Sequence, residues 1–216
     1  GIDVAVDLPG VGQHLQDHND MSVQQACTRP LSVNDEIRLL NRAKNGVRWL
    51  LKGDGPAATN QSEVAGYVRS VSSDRPDLQI CFMPLAIDYE KMRPIVDHGF
   101  RFFSMPLRPT SRGHVKLKSK DPLAAPEILC NHLSTEKDRQ DCRYVIQICR
   151  DIAAQSAFDS VRGAEVDPGS DVRSNQGIDR FVRQKGKATH HVCGTCRMGG
   201  DEMAVVDGTL CVHGID

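Results

Sequence analysis

Residues 99–119 read GFRFFSMPLRPTSRGHVKLKS, and this stretch decides the class of fold. Residues 99–107 are apolar and aromatic, as expected of a buried strand, and residues 114–119 are a second strand candidate. Polar and apolar residues alternate over 114–118, which indicates that one face of this second strand lies in water. The segment RPTSRG at 108–113 is typical of a turn, so the stretch predicts two consecutive strands joined by a turn.

The N-terminal side of this stretch contains further strand candidates. The run DLQICFMPLAI at residues 77–87 is almost continuously apolar, which is typical of a buried strand. Residues 21–29 and 63–70 are additional candidates. Between these two, Asn34 is a good N-cap for a helix that ends at Gly53, with apolar residues at helical spacing: Ile37, Leu40, Val47, Leu50 and Leu51.

The C-terminal side changes to helical spacing. Ser134 or Thr135 can cap a helix running to about Phe158, whose apolar stripe consists of Tyr144, Val145, Ile148, Cys149 and Ile152. A break at 168–169 precedes a short helix at 178–183. Because the strands come first and these helices later, we predict an α+β fold, a mostly antiparallel sheet with helices packed on one side.

The composition narrows the class of protein. The chain is 39% hydrophobic and 25% charged, with a formal net charge of -1, which is ordinary for a globular protein. Its basic residues are scattered, so we expect no nucleic-acid partner. No run approaches the roughly 18 consecutive apolar residues of a membrane span, so none is expected.

Eight cysteines are spread irregularly along the 216 residues. A disulfide scaffold is usually a shorter chain with denser cysteines and few core residues. We therefore expect reduced, partly buried thiols in a cytoplasmic protein.

The stretch THHVCGTCRMG at residues 189–199 concentrates chemically active side chains. Cys193 and Cys196 have the spacing of a zinc-ligand pair, but no second pair of this spacing exists in the sequence. A thioredoxin-like redox pair would begin a helix, which the glycines at 199–200 disfavour. The remaining alternatives are a catalytic histidine on a glycine-rich loop and a loop with partly buried cysteines.

Three separated motifs together resemble the glucose-methanol-choline (GMC) oxidoreductases. They are DLPGVGQHLQDH at 7–18, RPTSRGHVKLKSKDP at 108–122, and HVCGTCRMG at 191–199 followed by VVD at 205–207 and LCVHG at 210–214. They occur in the family's order at plausible spacing, and the resemblance covers essentially the whole chain. It is closest to the choline dehydrogenase-like branch.

The resemblance implies an FAD-dependent enzyme that oxidises a small-molecule alcohol by passing hydride to the flavin N5. It implies that His191 is the catalytic base and that His18 and Asp207 lie near the cofactor. An imidazole titrates near neutrality, which suits a proton acceptor for an alcohol. Cys193 and Cys211 depart from the family's usual residues, which argues against a family-wide function for the two cysteines of 193–196.

The dinucleotide-binding GxGxxG motif of the family is absent, and Gly10-Val-Gly12 lacks the third glycine. We therefore expect a fragment that lacks the Rossmann-like FAD domain and whose partner is the flavin-binding N-terminal half of the same protein. Residues 1–22 are predicted to be the remnant of the connection to that domain, 23–188 the substrate-binding domain, and 189–216 the catalytic-histidine motif leading back toward it. The isolated chain should bind FAD weakly or not at all, and no metal site is predicted. The alternatives are a non-catalytic fragment and a metal-binding module made of His190, His191, Cys193 and Cys196.

Overall fold

The computed structural model describes residues 3–88, 91 and 93–215. Within them lie three α-helices: α1 (Leu39–Lys52), α2 (Glu136–Ala153) and α3 (Asn175–Lys185). The strands are β1 (Asn19–Cys27), β2 (Val64–Val68), β3 (Leu78–Met83), β4 (Ile87–Asp88), β5 (Arg93–Pro94), β6 (Gly99–Pro106), β7 (His114–Lys116), β8 (Glu127–Leu129), β9 (Arg162–Asp167) and β10 (Lys187–Ala188). No described helix combines the length and apolar content needed to cross a membrane.

The main sheet has the strand order β10-β1-β6-β3-β2, and β9 pairs with β1 off this path. The pairings of β1 with β6, β6 with β3, and β3 with β2 are all antiparallel. The predicted α+β class with a mostly antiparallel sheet is confirmed. The apolar runs at 77–87 and 99–107 supply the two central strands, as their composition predicted.

One face of this sheet carries most of the apolar core. Val23, Phe102 and Phe82 face one another across three strands, because the register pairs Phe102 with both of the others. The ring of Phe158 lies 5.9 Å from the ring of Phe102. Cys149 of α2 makes a side-chain hydrogen bond with Ser104 of β6, so α2 packs on this same face.

Helix α2 begins where the sequence predicts, since the Thr135 hydroxyl accepts the backbone N–H of Asp138. Its buried stripe differs from the predicted one. Tyr144 is exposed, whereas the buried apolar positions are Cys142, Val145, Ile146, Cys149 and Ala153. The two sets share Val145 and Cys149, and the buried stripe is displaced by part of a turn so that it also includes the small residues Cys142 and Ala153.

The two strands predicted at 99–107 and 114–119 are present as β6 and β7, and β7 pairs antiparallel with β8. One local prediction is wrong. The helix predicted from Asn34 to Gly53 is divided into a 3₁₀ turn at Val33–Ile37 and α1. Helix α1 contains no buried residue, although its leucines have helical spacing. The spacing of apolar residues predicts an amphipathic helix, but it does not predict whether another part of the chain packs on the apolar face.

The described chain forms two compact units. One contains the residues up to Asn19, Arg108–Arg139, and the residues from Ala188 onward; the other contains Asp20–Leu107 and Gln140–Lys187. The second unit holds most of the main sheet. The first, called the motif unit below, collects all three sequence motifs of the resemblance.

Two leucines provide a matched test of the core. Leu78 in β3 is fully buried, whereas Leu50 in α1 is 76% exposed. Replacing Leu78 by Ala should lower the free energy of unfolding by about 2–5 kcal/mol, because the removed methyl groups leave a cavity. The same change at Leu50 should stay within about 0.5 kcal/mol. Equal losses in denaturant unfolding of the two variants would contradict this assignment of the core.

A buried carboxyl gives the fold a pH dependence. Burial raises the pKa of Asp20 to about 6 from the ordinary 3.8, against the opposing effect of Arg101 and Lys187. Between pH 3.8 and about 6, Asp20 is protonated in the folded chain and ionised in the unfolded chain. The stabilisation linked to Asp20 is therefore present in acid and lost as the pH rises to about 6. Relative to Asp20→Asn, the wild type should lose roughly 1–3 kcal/mol of unfolding free energy between pH ~4 and ~6.5. A difference that does not change with pH would refute this effect.

Candidate functional site

The predicted catalytic base, His191, lies in the motif unit on the loop that follows β10, and its side chain is exposed. Its backbone is nevertheless fixed, because the His191 N–H donates to Asp17 Oδ1 at 2.9 Å. The preceding His190 has a φ of 61°, a left-handed conformation that is uncommon outside glycine. The loop therefore holds a sharp turn immediately before the candidate base.

Asp17 Oδ1 is the centre of the site. Besides the N–H of His191, it accepts the N–H of His18 at 2.9 Å and the Thr189 hydroxyl at 3.1 Å. The Asp17 residue is only 3% exposed. Hydrogen bonds to a carboxylate are roughly twice as strong as those between neutral groups. One buried oxygen thus fixes the N-terminal motif and the C-terminal motif to each other.

Backbone hydrogen bonds also connect the N-terminal motif with the C-terminal motif. Gln16 and Cys193 exchange two backbone hydrogen bonds of 2.8 and 3.0 Å, which forms an isolated antiparallel bridge. Gly194 has a φ of 98°, and a Cβ placed there would lie 2.2 Å from the carbonyl oxygen of His14. The motif therefore needs glycine at position 194 for both conformation and space.

The structure brings His18 and His191 together. Their ring centroids are 5.4 Å apart, and the rings are nearly perpendicular at 88°. A cofactor contact for His18 remains a prediction.

Asp207 has a local role in the structure. Its Oδ1 accepts the N–H and the hydroxyl of Thr209 at 2.8 and 2.7 Å, and the N–H of Cys211 at 3.0 Å. These bonds, led by the one from the Thr209 side chain, lower the pKa of Asp207. Because this oxygen is engaged in its own turn, the predicted cofactor contact stays a prediction without geometric support here.

A second group of side chains was not anticipated from the sequence. Asp17, Cys130 and His132 place one potential metal-ligand atom each within 4.8 Å of one another. Burial raises the pKa of Cys130, and the Asp17 carboxylate raises it further. Burial lowers the pKa of His132, while Asp17 and Asp138 oppose this shift. The sequence contained a faint signal, since the stretch 130–132 reads Cys-Asn-His and Asp17 precedes the noticed His18.

All eight cysteines are free thiols, and five of them are buried or partly buried. Cys193 and Cys196 are both exposed. They are not part of a three-ligand cluster among the residues that the structure describes. The expectation that they hold no structural zinc remains a prediction for metal analysis.

A family model described as GMC oxidoreductase matches residues 109–216. The chain belongs to the GMC oxidoreductase family. This confirms the resemblance predicted from the three motifs.

Curated relatives match the chain over 97–100% of its length. The protein named oxygen-dependent choline dehydrogenase from Chromohalobacter salexigens is 44% identical over 217 residues, covering 100% of this chain and 39% of that protein. Its namesake from Proteus mirabilis is 45% identical over 210 residues, covering 97% of this chain and 38% of that protein. The chain thus spans about two fifths of the length of these relatives.

Solved GMC structures share the fold. A variant of formate oxidase from Aspergillus oryzae superposes with a TM-score of 0.88 at 22% identity, covering 100% of this chain and 43% of that one. A fungal aryl-alcohol oxidase gives a TM-score of 0.79 at 21% identity, with 99% and 44% covered. At these identities the likeness establishes the GMC fold alone.

The role of Asp17 in holding the GMC motifs together can be tested. Replacing it with Ala removes the acceptor for the N–H groups of His18 and His191, and both amides should exchange hydrogen faster. Leaving these donors without a partner should also cost about 1–3 kcal/mol of unfolding free energy. The measurement is amide hydrogen exchange.

Asp207→Ala is the matched control, because its carboxylate also accepts three hydrogen bonds but from its own turn. That variant should leave the exchange of the His191 amide unchanged. Similar exchange at His191 in both variants would contradict the role of Asp17.

Proposed function

We propose that this chain is the substrate-binding and catalytic part of an FAD-dependent alcohol oxidoreductase, in which His191 takes up the proton of the substrate hydroxyl. The observation that carries the proposal is the arrangement at His191. Its imidazole is exposed and free to meet a substrate, while its backbone is held by the buried Asp17 carboxylate. A general base needs this combination of access and fixed position.

The described residues fit the reactive end of a flavin better than its phosphates. The exposed His191 ring beside the His18 ring offers a place for a planar group and a bound alcohol. By contrast, the sequence contains no glycine-rich phosphate-binding turn of the GxGxxG type. His18 and His191 would therefore face the flavin ring, and the flavin-binding N-terminal half of the same protein would hold the rest of the FAD.

The division of chemistry follows from these positions. A flavin held beside His18 and His191 would supply the acceptor for the hydride of the carbinol carbon. The neutral imidazole of His191 accepts the hydroxyl proton as the carbonyl product forms. Asp17 keeps the loop in place through the His191 N–H, and the left-handed turn at His190 directs the chain so that the next side chain reaches outward.

We infer that the substrate is a small alcohol of the choline type. The support is the 44–45% identity to relatives named oxygen-dependent choline dehydrogenase. The eight free thiols support a reducing compartment such as the cytoplasm.

The proposed base can be tested in the complete flavoprotein. Replacing His191 with Ala should lower the rate of alcohol oxidation by about 10²–10⁴-fold, the usual effect of removing a positioned general base. FAD should stay bound, which flavin absorbance after gel filtration will show.

His190→Asn is the matched control for this test. Asparagine tolerates the left-handed backbone at position 190, so the substitution removes an imidazole without straining the turn. We expect at most a small loss of rate. Near-normal turnover by His191→Ala together with a severe loss in His190→Asn would transfer the role of base to His190.

A further inference from the structure

We propose that Asp17, Cys130 and His132 form a binding site for a divalent transition-metal ion of the zinc type. Their ligand atoms lie within 4.8 Å of one another. Around a tetrahedral Zn²⁺ ion, with bonds of about 2.0–2.3 Å, neighbouring ligand atoms lie roughly 3.5 Å apart. The three side chains therefore need to close by only about 1 Å, which rotamer adjustment supplies.

The buried carboxylate of Asp17 points to a ligand independently of this clustering. Its Oδ1 accepts three hydrogen bonds, from His18, Thr189 and His191. Its Oδ2 is also buried, yet it accepts no hydrogen bond from any residue that the structure describes. A buried anionic oxygen without a partner is costly, and a cation beside it removes that cost.

His132 is oriented as metal-binding histidines usually are. Its Nδ1 lies 3.2 Å from Asn19 Oδ1, an acceptor, so the two atoms form a hydrogen bond in the tautomer that carries the proton on Nδ1. The lone pair is then on Nε2, a buried atom that has no hydrogen-bond partner within residues 3–88, 91 and 93–215. A hydrogen bond from one ring nitrogen to a fixed acceptor is the common outer-shell support of a ligand histidine.

Cys130 supplies the ligand that selects the ion. It follows β8, is a half-buried free thiol, and stands two residues before His132. Asn131 and Leu133 both have positive φ, at 57° and 60°, so the chain turns sharply on each side of His132. A thiolate, an imidazole and a carboxylate together suit zinc and exclude magnesium and calcium, which take oxygen ligands.

The balance of charge and protons is simple. Binding releases the Cys130 thiol proton to solvent, and the resulting thiolate and the Asp17 carboxylate together neutralise the two charges of the ion. Three protein ligands leave a fourth position for water. Because the Asp17 carboxylate also holds the N–H of His191, the bound ion would stiffen the loop that carries His191.

The test uses the complete protein, freed of metal with a chelator and titrated first with Co²⁺ and then with Zn²⁺. Bound Co²⁺ should give a thiolate-to-cobalt charge-transfer band, seen in the difference spectrum, and ligand-field bands at wavelengths beyond the flavin absorption. One equivalent of Zn²⁺ should abolish both kinds of band. Cys130→Ser should lose the thiolate band, and His132→Gln should weaken Zn²⁺ binding by more than about 100-fold. Asn19→Ala removes only the hydrogen bond that orients the His132 ring, and should weaken Zn²⁺ binding by about 10–100-fold.

The double variant Cys193→Ser, Cys196→Ser is the control, since it removes the other cysteine pair and should keep one full equivalent of Zn²⁺. Loss of binding in this control, with binding retained in Cys130→Ser, would overturn the proposal in favour of the cysteine pair. If the wild-type protein shows no cobalt–thiolate band, the proposed metal site is overturned by that result alone. A Zn²⁺-dependent rise in melting temperature, present in the control and absent in His132→Gln, would support it.

Discussion

The motif unit depends on one buried carboxylate. Asp17 accepts hydrogen bonds from the residue after it and from two residues more than 170 positions further along the chain. These charge-assisted bonds offset the conformational entropy that is lost when such distant segments are brought together. The backbone bridge between Gln16 and Cys193 extends the junction by two further hydrogen bonds. The carboxylate is the acceptor that holds the backbone N–H of His191 itself.

This arrangement explains how an exposed side chain can still be accurately placed. The His191 imidazole is exposed to solvent. The backbone N–H of His191 is held by Asp17 Oδ1, and the glycine at 194 lets the chain pass close to the carbonyl of His14. The His191 side chain is therefore accessible while the backbone of the same residue is held in position. That separation is what a residue needs in order to take a proton from a bound molecule.

Much of the main sheet could be predicted from the sequence, because β3 and β6 are continuous apolar runs whose burial determines their conformation. Strand β9 was not predicted, since its sequence RGAEVD carries both charges and pairs with β1 through an irregular register. The two strands predicted at 99–119 are present as β6 and β7, but the turn-forming sequence between them does not determine that the partner of β7 is β8. At the site, His18 and His191 were recognisable from their motifs, but the contact between them was not. Asp17, Cys130 and His132 escaped notice because their proximity arises only when segments far apart in sequence fold together.

The most direct measurement is a crystal structure of the complete protein with its flavin and an unreactive alcohol analogue bound. A ring nitrogen of His191 should lie about 2.6–3.2 Å from the hydroxyl oxygen of the analogue. Asp17 Oδ1 should still accept the backbone N–H of His191, with the His18 ring adjoining the flavin. If the hydroxyl instead contacts another basic group while the His191 ring points away from it, the assignment of His191 as the base is contradicted.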